Sequence, residues 1–275
     1  MKRNILYVFQ EITPYLPETP MSLIGRQLPP KVQEKGNQIR VFMPRYGIIK
    51  ERRHQLHEVI RLSGMNIVVN DIDHSLLIKV ASIQSARMQI YFIDNEDYFH
   101  RRDMFRTEDG KFFEDNDERA LFFARGVMET IKKLRWTPEI LHVNGWIGSL
   151  IPLYIKKSYK EDPIFHNTKV VVSLYDDQFE ECLNSEFKKK IKFDGFTDND
   201  IKTIEKPDYI NLMKLAIKYA DGVIEARPCV HQQIIDFAKQ QNKKFLPYTD
   251  ATELNEDIYL DFYETVQKNH IPTEV

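Results

Sequence analysis

Short apolar runs alternate with stretches of helical pattern along nearly the whole chain, and this alternation restricts it to an α/β fold with a mainly parallel sheet. Parallel strands need a long crossover, normally a helix, so each apolar run must be followed by enough chain to build one. The runs Ile5–Phe9, Ile39–Met43, Leu76–Val80, Gln89–Ile93, Ile140–Val143, Val170–Leu174 and Gly222–Glu225 read as strands. Helical spacing covers Met21–Lys35, Asp117–Leu134, Ile147–Lys157, Tyr209–Tyr219, Pro228–Gln241 and a last segment near Asn255–Lys268. Asp115-Asn116 is placed to cap the second helix, with Asp117 and Glu118 in its first turn, and Gly36 stops the first. Met65–Asp94 differs: strand-like pieces joined by Asn70-Asp71-Ile72-Asp73 predict an antiparallel excursion. Asp194–Lys206 reads as a polar surface loop, and Lys188-Lys189-Lys190 as a solvated face.

Charge and composition exclude several functions. With 39 basic and 41 acidic residues the net charge is −2, so no broad pull toward nucleic acid or an anionic membrane is expected. The longest uncharged stretch, Ile140–Ile155, is interrupted by Asn144, two glycines and Pro152 and is too short to span a bilayer. Cys182 and Cys229 follow no secretory leader, which predicts free thiols and a cytoplasmic protein. The chain has 10 glycines and neither GxGxxG nor a Walker loop, against a dinucleotide or P-loop enzyme. No GxSxG elbow is present, and His54 and His57 lack the further ligands a metal needs. No cofactor is expected.

Ligand chemistry belongs at strand ends, because open α/β sheets bind ligands beyond the carboxyl edge. After the first strand stands Pro17-Glu18-Thr19-Pro20-Met21-Ser22-Leu23. A phosphate-cradling loop needs glycines and backbone donors there; two prolines remove donors, and Glu18 adds a repelling charge. After a later strand, Asn144 can bond sugar hydroxyls, and Trp146 either stacks on a sugar ring or packs the strand–helix corner. His142 reads as a core histidine. Tyr175, Asp176 and Asp177 follow another strand; the two carboxylates can meet sugar hydroxyls, cap the next segment or face solvent. As sequence neighbours they point apart and make a poor acid/base pair.

In this order the segments resemble the N-terminal domain of bacterial glycogen synthases and plant starch synthases, a family with the GT-B fold of two Rossmann-like domains facing a cleft. Gln10-Glu11-Ile12-Thr13-Pro14 looks like the family's Ser-Glu-x-x-Pro, and Leu28-Pro29, Gly36 and Pro44-Arg45-Tyr46 continue the match. The segment from Asp115 to Arg125 is close to Asp-Asn-x-x-Arg-Phe-x-x-Phe-x-Arg, and that from Ile210 to Asp221 resembles Asn-x-x-Lys-x-Gly-x-x-x-Ala-Asp. The resemblance covers about residues 5–235 and implies residues 1–245 as one such domain, with 246–275 as a tail whose helix packs on it. It implies a glucosyltransferase acting with nucleotide sugar and α-glucan. Where the family carries Lys-Thr-Gly-Gly-Leu-Ala-Asp on the donor diphosphate, however, this chain has the proline-rich segment containing Glu18. His-Asp-Trp becomes Asn144-Gly145-Trp146, Thr-Val-His-Asn becomes Ser173-Leu174-Tyr175-Asp176, and Ser-Pro-Thr-Tyr becomes Arg227-Pro228-Cys229-Val230. The second, donor-binding domain is expected to be missing. A departing diphosphate needs positive charge or N–H dipoles. The expectation is therefore a domain inactive or very weak alone, which binds α-glucan or a protein partner. The alternatives are a half-enzyme completed by another chain or by self-association, and a pure interaction module. No catalytic residue is assigned; Glu18, Asn144, Trp146, Tyr175, Asp176 and Asp177 are the candidate substrate contacts.

Overall fold

The computed structural model describes residues 2–101, 103–250 and 253–268. Its strands are β1 (Asn4–Phe9), β2 (Gln38–Pro44), β3 (His57–Glu58), β4 (Met65–Val69), β5 (Ile72–Ile83), β6 (Met88–Asp94), β7 (Ile140–Asn144), β8 (Lys169–Leu174), β9 (Gly222–Glu225) and β10 (Lys244–Leu246). The helices are α1 (Pro20–Glu34), α2 (Glu51–His54), α3 (Glu96–Phe99), α4 (Asn116–Leu134), α5 (Ile151–Lys156), α6 (Phe187–Phe193), α7 (Tyr209–Tyr219), α8 (Gln232–Gln240) and α9 (Glu256–Gln267). The strands order as β10-β9-β8-β7-β1-β2-β6-β5-β3, with β4 paired to β5. All pairs from β10 to β6 are parallel, and β5 runs antiparallel to β6, β3 and β4. The central strands are apolar on both faces, as expected where helices cover both sides. The chain departs from β1 to β2 on one side and returns to β7 on the other, so a switch point lies beyond the carboxyl ends of β1 and β7.

Two helices on one face position the candidate site. Gly25 brings α1 onto Phe9 and Ile12 after β1. Beside it lies α9, held to α1 by Lys35 with Glu256 and Asp257 at 3.3 and 2.8 Å. A Cβ at Gly222 of β9 would stand 2.6 Å from Val266, so α9 sits against the sheet as closely as a glycine permits. Beneath α9, Tyr263 shares a 2.7 Å hydrogen bond with His142 Nδ1, and His142 Nε2 meets the Ser173 hydroxyl at 2.7 Å. Burial pushes the His142 imidazole down to about 3, so it is neutral. It is a core histidine, joined to side-chain hydroxyls.

Several expectations change. Asp115 stands at the N-cap of α4 but accepts no capping hydrogen bond, because its carboxylate is taken by Arg101 at 2.6 Å. Lys190 is not solvated: it is buried between Asp117 and Glu118, at 2.8 and 2.7 Å. Phe187 and Ile191, one turn apart, turn that side of α6 inward and carry Lys190 with them. The Asp194–Lys206 segment is anchored rather than free, since Asp194 accepts from Arg125 at 2.9 Å and Ile201 and Ile204 are buried. The helix expected over 147–157 is split into a 3-10 turn, Trp146–Gly148, and α5. The one expected from Pro228 begins at Gln232, where His231 caps it. The predicted excursion is present as the β4–β5 hairpin and β6, with Asn70 and Asp71 supplying left-handed turn residues. Residues 269–275 of the expected tail lie outside the described residues.

Candidate functional site

The crevice beyond β1 and β7 is built from the loop 10–19, the start of α1, and the segments after β7 and β8. Gln10 N–H donates to the Asn144 carbonyl at 2.9 Å, fastening the two strand ends together. Gly145 adopts φ +96°, and a Cβ there would lie 2.4 Å from Gln10, so no larger residue fits.

The start of α1 is where such a fold would hold a phosphate. Here its donors are already engaged. Thr19 and Ser22 form a reciprocal capping box: Thr19 N–H donates to the Ser22 hydroxyl at 2.8 Å, and Ser22 N–H donates to Thr19 Oγ1 at 3.0 Å. Pro20 has no N–H. Three of the four end-of-helix donors are therefore absent or used. The Thr19 hydroxyl in turn donates to the Glu11 carboxylate. Burial raises the Glu11 carboxyl above its ordinary value, against that hydrogen bond.

Of the six predicted contacts, the structure turns three into framework. Asn144 is buried, and its Oδ1 accepts from the Tyr175 hydroxyl at 2.9 Å. Tyr175 is buried too, and desolvation holds its phenol far above the ordinary range. The Trp146 ring is 2% exposed, with Phe105 at 4.5 Å, Phe179 at 5.1 Å and Phe112 at 6.3 Å between centroids, so neither face is open to a sugar. It packs the strand–helix corner. The two carboxylates divide as their adjacency requires. Asp177 turns inward and accepts from Trp146 N–H at 3.1 Å and the Tyr209 hydroxyl at 2.7 Å; burial raises its carboxyl despite these bonds. Asp176 is exposed, as is Glu18.

Sequence reasoning missed the Thr19–Ser22 box, Tyr209 and the role of Glu11. The box had a signal, Thr-x-x-Ser with proline at the first helical position. The other two had none, because their partners are remote in sequence. Also missed was a cavity of about 400 Å³ beside the crevice, between the start of α1, the ends of β9 and β10, and the approach to α9. Tyr248 and Tyr259, both half-buried, line it with Glu225, Glu253 and Arg227. Arg227 Nε is shielded from solvent without a hydrogen-bond partner and lies 4.0 Å from Asp176. Cys182 and Cys229 are unbonded and exposed. Among the described residues no helix is long and apolar enough to cross a membrane, and no cluster of histidine, cysteine and acidic side chains is arranged for a metal.

Residues 4–246 match the family of starch synthase catalytic domains. Glycogen synthase of Chlorobaculum parvum is 32% identical over 240 residues, covering 85% of this chain and 48% of that protein. Glycogen synthase of Chlorobium limicola is 34% identical over 177 residues, 63% of this chain and 36% of that one. In fold, the chain is similar to the catalytic domain of starch synthase IV from Arabidopsis thaliana, solved with ADP and acarbose. The TM-score is 0.71 at 14% identity, over 90% of this chain and 51% of the other. The chain thus spans about half the length of these relatives, or less.

Proposed function

The chain belongs to the family of starch synthase catalytic domains, and from that premise we propose that it is an α-glucan-binding domain of glycogen metabolism, unable alone to grip a nucleotide diphosphate. One observation carries the reading: the α1 start is closed by its own capping box, and the Thr19 hydroxyl is engaged by the Glu11 carboxylate. A diphosphate placed there would meet Glu11 and Glu18 and find few free N–H donors. Without such donors the charge on a leaving diphosphate is unsupported, and transfer of glucose is expected to be slow or absent.

The glucan is assigned to the cavity beside the crevice. Tyr248 and Tyr259 supply aromatic lining, and Glu225, Glu253 and Arg227 supply planar polar groups for hydroxyls. Asp176 lies 4.0 Å from Arg227 of this lining, and both it and Glu18 are exposed to solvent. Asn144, Trp146 and Tyr175 do not contact the sugar in this reading; they are buried framework of the neighbouring crevice. The acarbose and ADP held by the Arabidopsis protein make α-glucan and nucleotide sugar the ligands to test first.

The experiment is a calorimetric titration of the purified chain with ADP-glucose, UDP-glucose and a maltooligosaccharide, alongside a glucose-transfer assay on glycogen. Maltooligosaccharide is expected to bind, Tyr248→Ala to weaken it, and the sugar nucleotides to give no heat. Transfer at an ordinary enzymatic rate would overturn the reading. A second reading, a half-enzyme that holds the diphosphate jointly with another polypeptide or a second copy, is favoured by Arg227, whose Nε makes no hydrogen bond and has only the long contact to Asp176. Under it, sugar nucleotide binds only when the completing chain is added.

A further inference from the structure

A second cavity, of about 390 Å³, opens on the other flank of the loop 10–19, between α1, α2 and the turn after β5. Its electrostatics are the reverse of the crevice. Two guanidinium groups, Arg26 and Arg53, line it together with the His54 imidazole, and among the described residues no carboxylate does. Neither arginine is ion-paired among those residues; Arg26 only reaches the Ser85 hydroxyl, at 3.4 Å. Four other arginines of this net-negative chain are ion-paired, Arg45 with Glu51, Arg101 with Asp115, Arg106 with Glu181 and Arg125 with Asp194, whereas exposed Arg52 and Arg87, like this pair, are not ion-paired among the described residues. Arg26 is half-buried and Arg53 exposed, so the two give this cavity a solvent-accessible cationic wall that an anion can reach.

We propose that this cavity binds the phosphate group of a small phosphorylated sugar. Guanidinium forks match phosphate oxygens two at a time, which a point-charge ammonium does not. The volume falls within the range of about 300–1,000 Å³ typical of small-molecule sites and leaves room beyond a phosphate. That room is bordered by neutral hydrogen-bonding groups, the Ser82 and Ser85 hydroxyls and the Gln55 and Gln84 carboxamides, suited to sugar hydroxyls. The inner wall is firm: Tyr15 is buried, its ring edge-on to His54 at 5.1 Å and to Phe92 at 4.9 Å. Pro14 and Tyr15 belong to the same loop that carries Glu11 and Glu18 to the crevice, so an occupant here braces that loop from behind.

The test is calorimetry on the intact chain with glucose 1-phosphate, glucose 6-phosphate, glucose and inorganic phosphate. At least one sugar phosphate is expected to bind, more tightly than inorganic phosphate, and glucose not at all. Arg26→Ala combined with Arg53→Ala is expected to weaken binding at least about tenfold, ~1.4 kcal/mol. The lysine pair, Arg26→Lys with Arg53→Lys, should retain part of it. Hydrogen exchange on the unsubstituted chain reads the same site without mutation: added sugar phosphate should protect residues 53–55 and 82–85. Absence of heat from both sugar phosphates overturns the proposal, as does unchanged affinity in the alanine pair or protection at residues 225–227 instead. Equal affinity for inorganic phosphate overturns its sugar part.

Discussion

Two depressions flank the loop 10–19 and treat charge in opposite ways. In the crevice beyond β1 and β7, polar groups answer one another: Thr19 with Ser22 and Glu11, Asp177 with Trp146 and Tyr209, Asn144 with Tyr175. In the cavity behind the loop, Arg26 and Arg53 answer nothing but a serine. The first arrangement is what stability favours, since buried polar atoms are costly without partners. The second contributes little to the fold. Reactive potential in this molecule therefore lies away from the place where its fold would ordinarily put it.

The sharpest way to break that contrast is to compare cations. Lys190→Met strands Asp117, a fully buried carboxylate, and is expected to cost about 3–5 kcal/mol in urea denaturation. A loss below about 1 kcal/mol would mean that Lys190 is not the paired, buried ammonium described. Trp146→Ala should cost about 3–5 kcal/mol by the same measurement and leave retention on an amylose gel unaltered per folded molecule. Weakened retention at full folding would return the ring to the sugar site. Thr19→Ala removes one arm of the capping box and should destabilise by about 1 kcal/mol; a neutral change would show that the box is not closing the α1 start.

A smaller effect separates the two regions by pH. The Glu11 and Asp177 carboxyls are raised in the folded state, chiefly by burial. A carboxyl with a raised folded value holds its proton more tightly folded than unfolded, so stability falls as pH rises from the unfolded value through the folded one. For Glu11 the decline begins near its ordinary value of 4.5, and Glu11→Gln should flatten that part of a stability–pH curve. An unchanged slope would remove Glu11 from the buried set. Smallest of all, Arg26→Ala and Arg53→Ala should each move stability by no more than about 0.5 kcal/mol.

Much of this fold is written in local pattern. The run Ile140–Val143 and the spacing of Tyr209–Tyr219 lie within a residue of β7 and α7, because period and length distinguish strand from helix without tertiary help. What escaped depends on partners far along the chain. Nothing near Lys190 announces Asp117, and nothing near Trp146 announces that Phe105 and Phe179 cover its faces. Three-residue β10 has no legible period at all. At the site, the loss of the glycine-rich loop was readable, and the capping box that replaces it left a local signal, Thr-x-x-Ser, that went unread. Arg26, Arg53 and the Ser82–Ser85 turn were unreadable as a group, since folding alone brings them together.

The docking of α9 also sets an order of events. Its Tyr263 meets residues 121 and 256 positions earlier, His142 and Tyr7. During synthesis His142 can meet the Ser173 hydroxyl once β8 is made, but its Nδ1 lacks a protein partner until Tyr263 has left the ribosome. Contacts spanning so much sequence form slowly. The nascent sheet is thus bare along one flank for most of its translation, and a chaperone that recognises apolar strands would find its longest opportunity there.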